Sequence, residues 1–279
     1  MGQRRSIAGC RMLITGASQG IGMALTEAAL RRGAKVLAAA RSAELLNQLK
    51  KRLSDSGHQL EVVAADVTKP EDREKMVEAA KAHFGGLDVL VNNAGIGATG
   101  HFVEASPDRL RQIMEVNLFG LTETTRVFLP VLREGNKPAI VNISSIAGQR
   151  AIPARSDYSA SKFAVEGFSE ALRAELAKFG IDVLVVAPGL TQTNFSKNMI
   201  EQKALMPMDH MRGMTAEDAA AATLRAIERG KDRTVLTIQG KLLTLVSRIL
   251  PRLADKIAAK KVRSLFKDEI ATRKAKSAS

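Results

Sequence analysis

Tyr158 and Lys162 stand four residues apart in a stretch, Asp157 to Phe179, that reads as a helix, and Tyr158 is the only tyrosine of the chain. That spacing is one helical turn, so the two side chains share a face and the ammonium can approach the phenol. A free phenol has a pKa of about 10, too high for ready proton exchange near neutrality. A cation within roughly 4–6 Å favours the phenolate and lowers that value. So placed, Tyr158 is suited to act as general acid and base. Ser144 and Ser145 close the preceding apolar run, Ala139 to Ile143, at what reads as a strand end.

These residues need a scaffold, and the chain upstream supplies one. Arg11 to Ile14 is a short apolar run leading into Thr15-Gly16-Ala17-Ser18-Gln19-Gly20-Ile21-Gly22, after which Met23 to Arg32 is rich in helix formers. The reading is strand, glycine-rich turn, helix. Glycines let a backbone approach a phosphate closely, and the free N–H groups at a helix start favour its charge. The spacing is G-x-x-x-G-x-G rather than the G-x-G-x-x-G of the usual dinucleotide fingerprint. Ala34 to Ala40 reads as a second strand, ending at Arg41. An acidic residue at that junction holds a ribose 2′-hydroxyl, whereas an arginine accommodates a 2′-phosphate. Arg41 therefore favours NADP(H) over NAD(H), a solvated residue at the helix start being the other reading.

Further strands are expected over Leu60 to Ala64, Leu87 to Val91, Ala139 to Ile143, Ile181 to Ala187 and Val235 to Ile238, with helices between them. Asp66 and Val67 follow the third strand, where Asp66 is placed to bond an adenine amino group. Asn92-Asn93-Ala94-Gly95-Ile96-Gly97 follows the fourth, with small residues that leave room for a flat ligand. Pro107 to Leu129 reads as one long helix with Leu110, Ile113, Met114, Asn117, Leu118, Leu121 and Thr125 on its apolar stripe. A buried Asn117 needs partners, so it is either a structural anchor or part of a site. Alternating strands and helices imply an α/β fold, a doubly wound parallel sheet of about seven strands. The motifs all fall at strand carboxyl ends, where such sheets bind ligands.

Composition narrows the class. Cys10 is the only cysteine, expected in a buried strand, and the four histidines are scattered, so neither a disulfide framework nor a zinc cluster can be drawn. Met1 to Arg11 lacks the apolar core of a secretory leader, which makes the cytoplasm the expected location. The net charge is +13, and residues 231–279 hold 13 of the 42 basic residues against 4 of the 29 acidic ones. Any anionic partner is therefore a question about the tail.

With Thr15-Gly16-x-x-x-Gly20-x-Gly22, Asp66, Asn92-Asn93-Ala94-Gly95, Asn117, Ser145, Tyr158-x-x-x-Lys162 and Pro188-Gly189 in this order, the chain resembles the short-chain dehydrogenase/reductase family over residues 10–240. The resemblance implies hydride transfer between the nicotinamide of NADP(H) and a carbonyl or alcohol, without a metal. It implies that Tyr158 exchanges the proton on the substrate oxygen and that Ser145, favoured over Ser144 by its spacing, bonds that oxygen. Lys162 would lower the tyrosine pKa and bond the nicotinamide ribose, Asn117 would hold a relay water, and Thr191 and Thr193 would contact the carboxamide and diphosphate. Members are commonly homo-oligomers.

Residues 190–215 correspond to a substrate flap, here rich in Phe195, Met199, Leu205, Met206, Met208, Met211 and Met214. Adaptable methionines suit an irregular apolar surface, pointing to a hydrophobic or lipid-like ketone; plain packing is the other reading. The catalytic domain is expected to span 1–240 and a basic amphipathic extension 241–279, with Leu242, Leu245, Val246, Ile249, Leu253 and Ile257 on one stripe and Pro251 dividing two helices. Docking of that stripe on the substrate mouth or a dimer partner is favoured over a peripheral membrane contact. Residues 271–279 read as disordered. A cofactor-binding scaffold or membrane-associated protein acting through its tail is the competing reading, and nucleic-acid binding is not expected because the tail lacks interleaved aromatics.

Overall fold

The structure is a computed structural model that describes residues 2–53, 57–203 and 213–265. Along the chain run β1 (Arg11–Thr15), α1 (Gly20–Arg31), β2 (Lys35–Ala40), α2 (Ala43–Leu53), β3 (Leu60–Ala64), α3 (Pro70–Phe84) and β4 (Val89–Asn92). Then come α4 (Arg109–Met114), a π turn (Glu115–Phe119), α5 (Gly120–Arg133), β5 (Ala139–Ile143), α6 (Ser156–Leu176) and β6 (Asp182–Ala187). β7 (Thr191–Gln192), β8 (Met214–Thr215), α7 (Ala216–Arg229), β9 (Arg233–Val235), α8 (Ile238–Ile249) and α9 (Pro251–Leu265) complete it.

Seven strands form one parallel sheet in the order β3-β2-β1-β4-β5-β6-β9. The expected doubly wound α/β sheet is therefore present. Side chains alternate across a strand, and the two faces of β1 show it: Met12 and Ile14 pack with Leu25, Leu30, Leu224 and Ile227 of α1 and α7, while Leu13 packs with Met76, Phe128, Leu132 and Leu172 of α3, α5 and α6. Strands covered on both sides have no polar face. Strand order reverses between β1 and β4, which opens a crevice at their carboxyl ends.

Four local details differ from the expectation. The long helix over 107–129 is interrupted by the π turn, and the turn carries Asn117. Such single-turn bulges locally replace the α-helical bonding pattern. Leu110, expected on the apolar stripe, is exposed, and its neighbour Arg109 is fully buried instead. The last strand ends at Val235 rather than Ile238, because the Thr237 hydroxyl accepts the Gly240 N–H at 3.1 Å and caps α8. Cys10 is buried but precedes β1.

Residues 190–215, the expected flap, carry a short parallel pair, Thr191↔Met214 and Gln192↔Thr215. Leu205, Met206, Met208 and Met211 lie outside the described residues, as do residues 271–279. Pro251 does divide the C-terminal segment, standing at the first position of α9. The apolar stripe there is not docked on the chain's own domain: Leu242, Leu245, Ile249, Leu253 and Ile257 are all exposed.

Candidate active site

β5 delivers Ser144 and Ser145 to the carboxyl edge of the sheet, and the following tight turn, Ile146–Gly148, decides which of them faces the crevice. Ser144 is buried. A Cβ on Gly148 would lie 2.8 Å from its Oγ and 2.7 Å from the Lys162 carbonyl oxygen, so the turn rests directly on α6. Ser145 is partly exposed, and its Oγ accepts the Ala147 N–H at 3.1 Å. That bond occupies a lone pair and leaves the hydroxyl proton free to donate.

α6 brings Tyr158 in on its first turn and Lys162 on the next. The Ser145 hydroxyl lies on the same edge as the Tyr158 phenol and favours its ionised form. Lys162 is buried; its Nζ donates to the Ile143 carbonyl at 2.9 Å and lies 5.8 Å from the Tyr158 ring centroid. Gly95 closes the floor between Lys162 and Asn117, for a Cβ there would stand 3.2 Å from Asn117 Oδ1 and 3.8 Å from Lys162 Nζ. Asn117 is fully buried, accepts the Ile96 N–H at 2.8 Å, and donates to Ile96 O and Ser161 Oγ at 3.0 Å each. Its side chain is thus a structural anchor, spent on the loop after β4 and on α6.

The glycine turn after β1 forms a cradle that side chains would fill. Gly16 and Gly20 hold φ of +65° and +55°, which glycine adopts without steric cost. A Cβ on Gly22 would lie 2.3 Å from Gly16 O, and one on Gly16 would lie 2.9 Å from Ala94 Cα. No side chain caps the start of α1 at Gln19, so its first-turn N–H groups point to the crevice, with Ser18 and Ile21 beside them. This cradle fits a diphosphate. Asn93 supports it from behind, donating to Thr15 O at 2.9 Å and Gly16 O at 3.2 Å, while Thr15 Oγ1 receives the Asn93 and Ala94 N–H groups at 3.0 and 3.1 Å. Asn92 has turned inward to Thr125 and Asn142.

The remaining cofactor candidates ring the same edge. Arg41 is exposed at the end of β2 and makes no ion pair among the described residues. Asp66 accepts the Thr68 N–H and hydroxyl through Oδ1 at 3.0 and 2.8 Å, and Val67 packs against Gly120. Pro188 O accepts the Ile146 N–H at 3.0 Å, tying the loop after β6 to the serine turn. Gly189 lies against Thr237, the Thr191 hydroxyl donates to Gly189 O at 3.1 Å, and the methyl-bearing end of Thr193 abuts Gly20. Gln19 accepts from Asn198 at 2.9 Å, so the segment after β7 crosses the cradle.

The short chain dehydrogenase family model matches residues 11–204, the stretch that carries this whole constellation. The chain belongs to the short-chain dehydrogenase/reductase family. It is 33% identical to the Bacillus subtilis (strain 168) "Uncharacterized oxidoreductase YxnA" over 89% of this chain and 71% of that one. A solved short chain dehydrogenase from Burkholderia cenocepacia J2315, in complex with NADP, shares 32% identity at a TM-score of 0.78, covering 91% of this chain and 99% of that one. The 3-ketoacyl-(acyl-carrier-protein) reductase of Brucella melitensis, complexed with NADH, shares 29% identity at a TM-score of 0.74 over 82% and 96% of the two chains. This short-chain dehydrogenase/reductase is thus an oxidoreductase that uses a nicotinamide cofactor.

The electrostatics correct one expectation. Burial pushes the Tyr158 phenol above its ordinary range, and the Ser145 hydroxyl and the Arg155 charge pull it back only in part. Lys162 is not what lowers it, because its ammonium is turned to Ile143 O. Lys162 is itself held down from 10.5 to about 8 by burial, against the opposing pull of Glu166. Between about pH 8 and 10.5 the unfolded chain therefore carries a lysine proton that the folded protein has released, and stability from this group rises with pH. Relative to a Lys162→Met variant, the parent protein is expected to gain on the order of 2 kcal/mol between pH 8 and 9.5. Denaturant melts of both proteins at the two pH values read this difference, and parallel changes would remove it.

Other residues of the site carried no sequence signal. Arg155, three positions before Tyr158, has a buried Nε without a hydrogen-bond partner. Arg109 pairs with Asp157 and, at 3.1 Å, with Glu201. Their roles depend on contacts between segments far apart in the chain, which a local pattern cannot display.

Proposed function

We propose that this enzyme is an NADP(H)-dependent reductase of hydrophobic carbonyl compounds, or the dehydrogenase of the corresponding alcohols. The observation that carries the reading is the gathering of Ser145, at the carboxyl end of β5, with Tyr158 and Lys162 of α6, whose Nζ lies 5.8 Å from the Tyr158 ring centroid, beside a glycine cradle that fits a diphosphate. A dinucleotide held in the cradle of Gly16, Gly20 and Gly22 would supply a hydride to the carbonyl carbon, or take it back in the reverse direction. Tyr158 gives its phenolic proton to the carbonyl oxygen, and Ser145 donates a hydrogen bond to that oxygen. A phenol kept neutral by burial starts the reductive direction in the correct protonation state. Lys162, still cationic near neutrality, would bond the nicotinamide ribose from the floor of the crevice. Asn117 positions Lys162 by bracing the shared floor at Gly95.

Support for an apolar substrate comes from the aromatic wall beside Tyr158. The Phe195 ring meets Tyr158 at a centroid distance of 5.7 Å and closes on Gly97, where a Cβ would lie 2.9 Å from it. Met199 and Met214 belong to the same flap segment. NADPH oxidation measured against ketones graded from short polar to long apolar chains tests the reading. Specificity constants that rise with chain length support it, and preference for small polar carbonyls removes the hydrophobic assignment.

Support for NADP(H) comes from Arg41, an exposed, unpaired guanidinium at the junction where a 2′-phosphate is read. Arg41→Asp is expected to weaken NADPH binding by roughly a hundredfold while changing NADH binding little, since a charge-assisted contact is replaced by repulsion. Fluorescence titration with each dinucleotide measures this. Equal losses for both would take the 2′-phosphate away from Arg41.

A further inference from the structure

The C-terminal helices are amphipathic and leave their apolar side uncovered. On α8, Ile238, Leu242, Leu245 and Ile249 recur at helical spacing, and each is more than half exposed, Ile238 at 83%. Leu253 and Ile257 continue the pattern on α9. Exposed apolar rows of this length on one element mark a contact surface. Lys241, Arg252, Lys256, Lys260 and Arg263 are also exposed and form no ion pair among the described residues. Residues 238–265 hold seven Lys and Arg against a single acidic residue, Asp255, and Asp255 is engaged at 2.7 Å by Arg150 of the catalytic body.

We propose that α8 and α9 dock this enzyme on an anionic lipid surface, with the apolar rows in the acyl boundary and the cations among the headgroups. The charge selects this occupant over a second copy of the chain. Self-association through this face would bring two strongly basic helix pairs together in a desolvated contact, whereas an anionic leaflet complements them at roughly fivefold in affinity per cation. The helices lie in the interface and do not cross it, because no helix among the described residues is long and apolar enough to span a bilayer.

The attachment has a consequence for the site. Gly240 packs on Ile146, and Arg248 reaches Gln149 at 3.3 Å, so α8 is fastened to the turn that orients Ser145. The docked face is therefore next to the substrate mouth. The inference stands on α8 and α9 alone and does not require the substrate class proposed above.

Sedimentation of the full chain with vesicles of phosphatidylcholine, alone or mixed with phosphatidylglycerol, tests it. The parent protein is expected to bind the mixed vesicles at least about tenfold more tightly, with the difference shrinking in high salt. Leu242→Ser/Leu245→Ser/Ile249→Ser and, separately, Lys241→Gln/Arg252→Gln/Lys256→Gln are each expected to lose about tenfold of that binding. Dinucleotide titration and the melting midpoint verify that each variant is folded, and if the serine variant is not, the glutamine variant decides. A parent protein that stays in the supernatant, or equal partition onto both vesicles, overturns the proposal. So does a concentration-dependent dimer that the serine substitutions disperse, which would assign the face to a second copy.

Discussion

Tyr158→Phe is expected to reduce carbonyl turnover by roughly a hundred- to ten-thousandfold, the range for removing a positioned proton donor, while NADPH binding stays within about twofold. The reasoning starts from what the substitution leaves in place. The ring keeps its contact with Phe195 and its position on the first turn of α6. Only the hydroxyl goes, and with it the proton that the proposed reaction transfers. Because Tyr158 is only partly buried and keeps its ring contact, loss of the hydroxyl costs little stability, so a melting midpoint close to that of the parent is part of the expectation. Single-turnover reduction of an apolar ketone separates chemistry from binding. A variant that turns over at the parental rate would dismiss Tyr158 as the proton donor, whatever the cofactor affinity.

That expectation rests on a part of the molecule the sequence displays well. The glycine turn, the Tyr/Lys spacing and the strand ends are local patterns, and the parallel sheet that gathers them follows from apolar runs alternating with amphipathic helices. Ser145 is different. Nothing in the dipeptide Ser144-Ser145 tells the two apart; what separates them is the turn over Gly148, which is pressed between Ser144 Oγ and the backbone of α6. Lys162 is different again. Its spacing predicts an approach to the phenol, yet its ammonium points to Ile143 O, because a buried cation takes the nearest unspent carbonyl. The C-terminal stripe is legible as a period, but whether a period is buried depends on what the rest of the fold offers it. Here the sheet is already covered on both faces by α1, α7, α3, α5 and α6, so the stripe does not contribute to its core.

Arg109 is the residue the sequence concealed most thoroughly and the one whose removal is expected to be felt most in stability. It is 1% exposed, although it stands among charged neighbours at the start of α4. Its Nε pairs with the buried carboxylate of Asp157, the residue before Tyr158. Its Nη1 reaches Glu201 at 3.1 Å, in a segment whose backbone bonds the loop after β4 through Thr99 N–Glu201 O at 2.9 Å and Ile200 N–Gly97 O at 3.0 Å. One guanidinium thus joins α4, α6 and the segment after β7. Arg109→Met keeps most of the volume but leaves Asp157 buried without its counter-charge, at a cost of about 3–5 kcal/mol. The melting midpoint should fall by roughly 10 °C. Below that midpoint, kcat should fall more than dinucleotide affinity, since the loosened turn is the one that aims Tyr158 and the glycine cradle lies elsewhere. Adding Asp157→Asn removes the stranded charge and should return a substantial part of the lost stability. A double variant no more stable than Arg109→Met would mean that Arg109 acts by packing alone, and a single variant that melts with the parent would deny it any structural part.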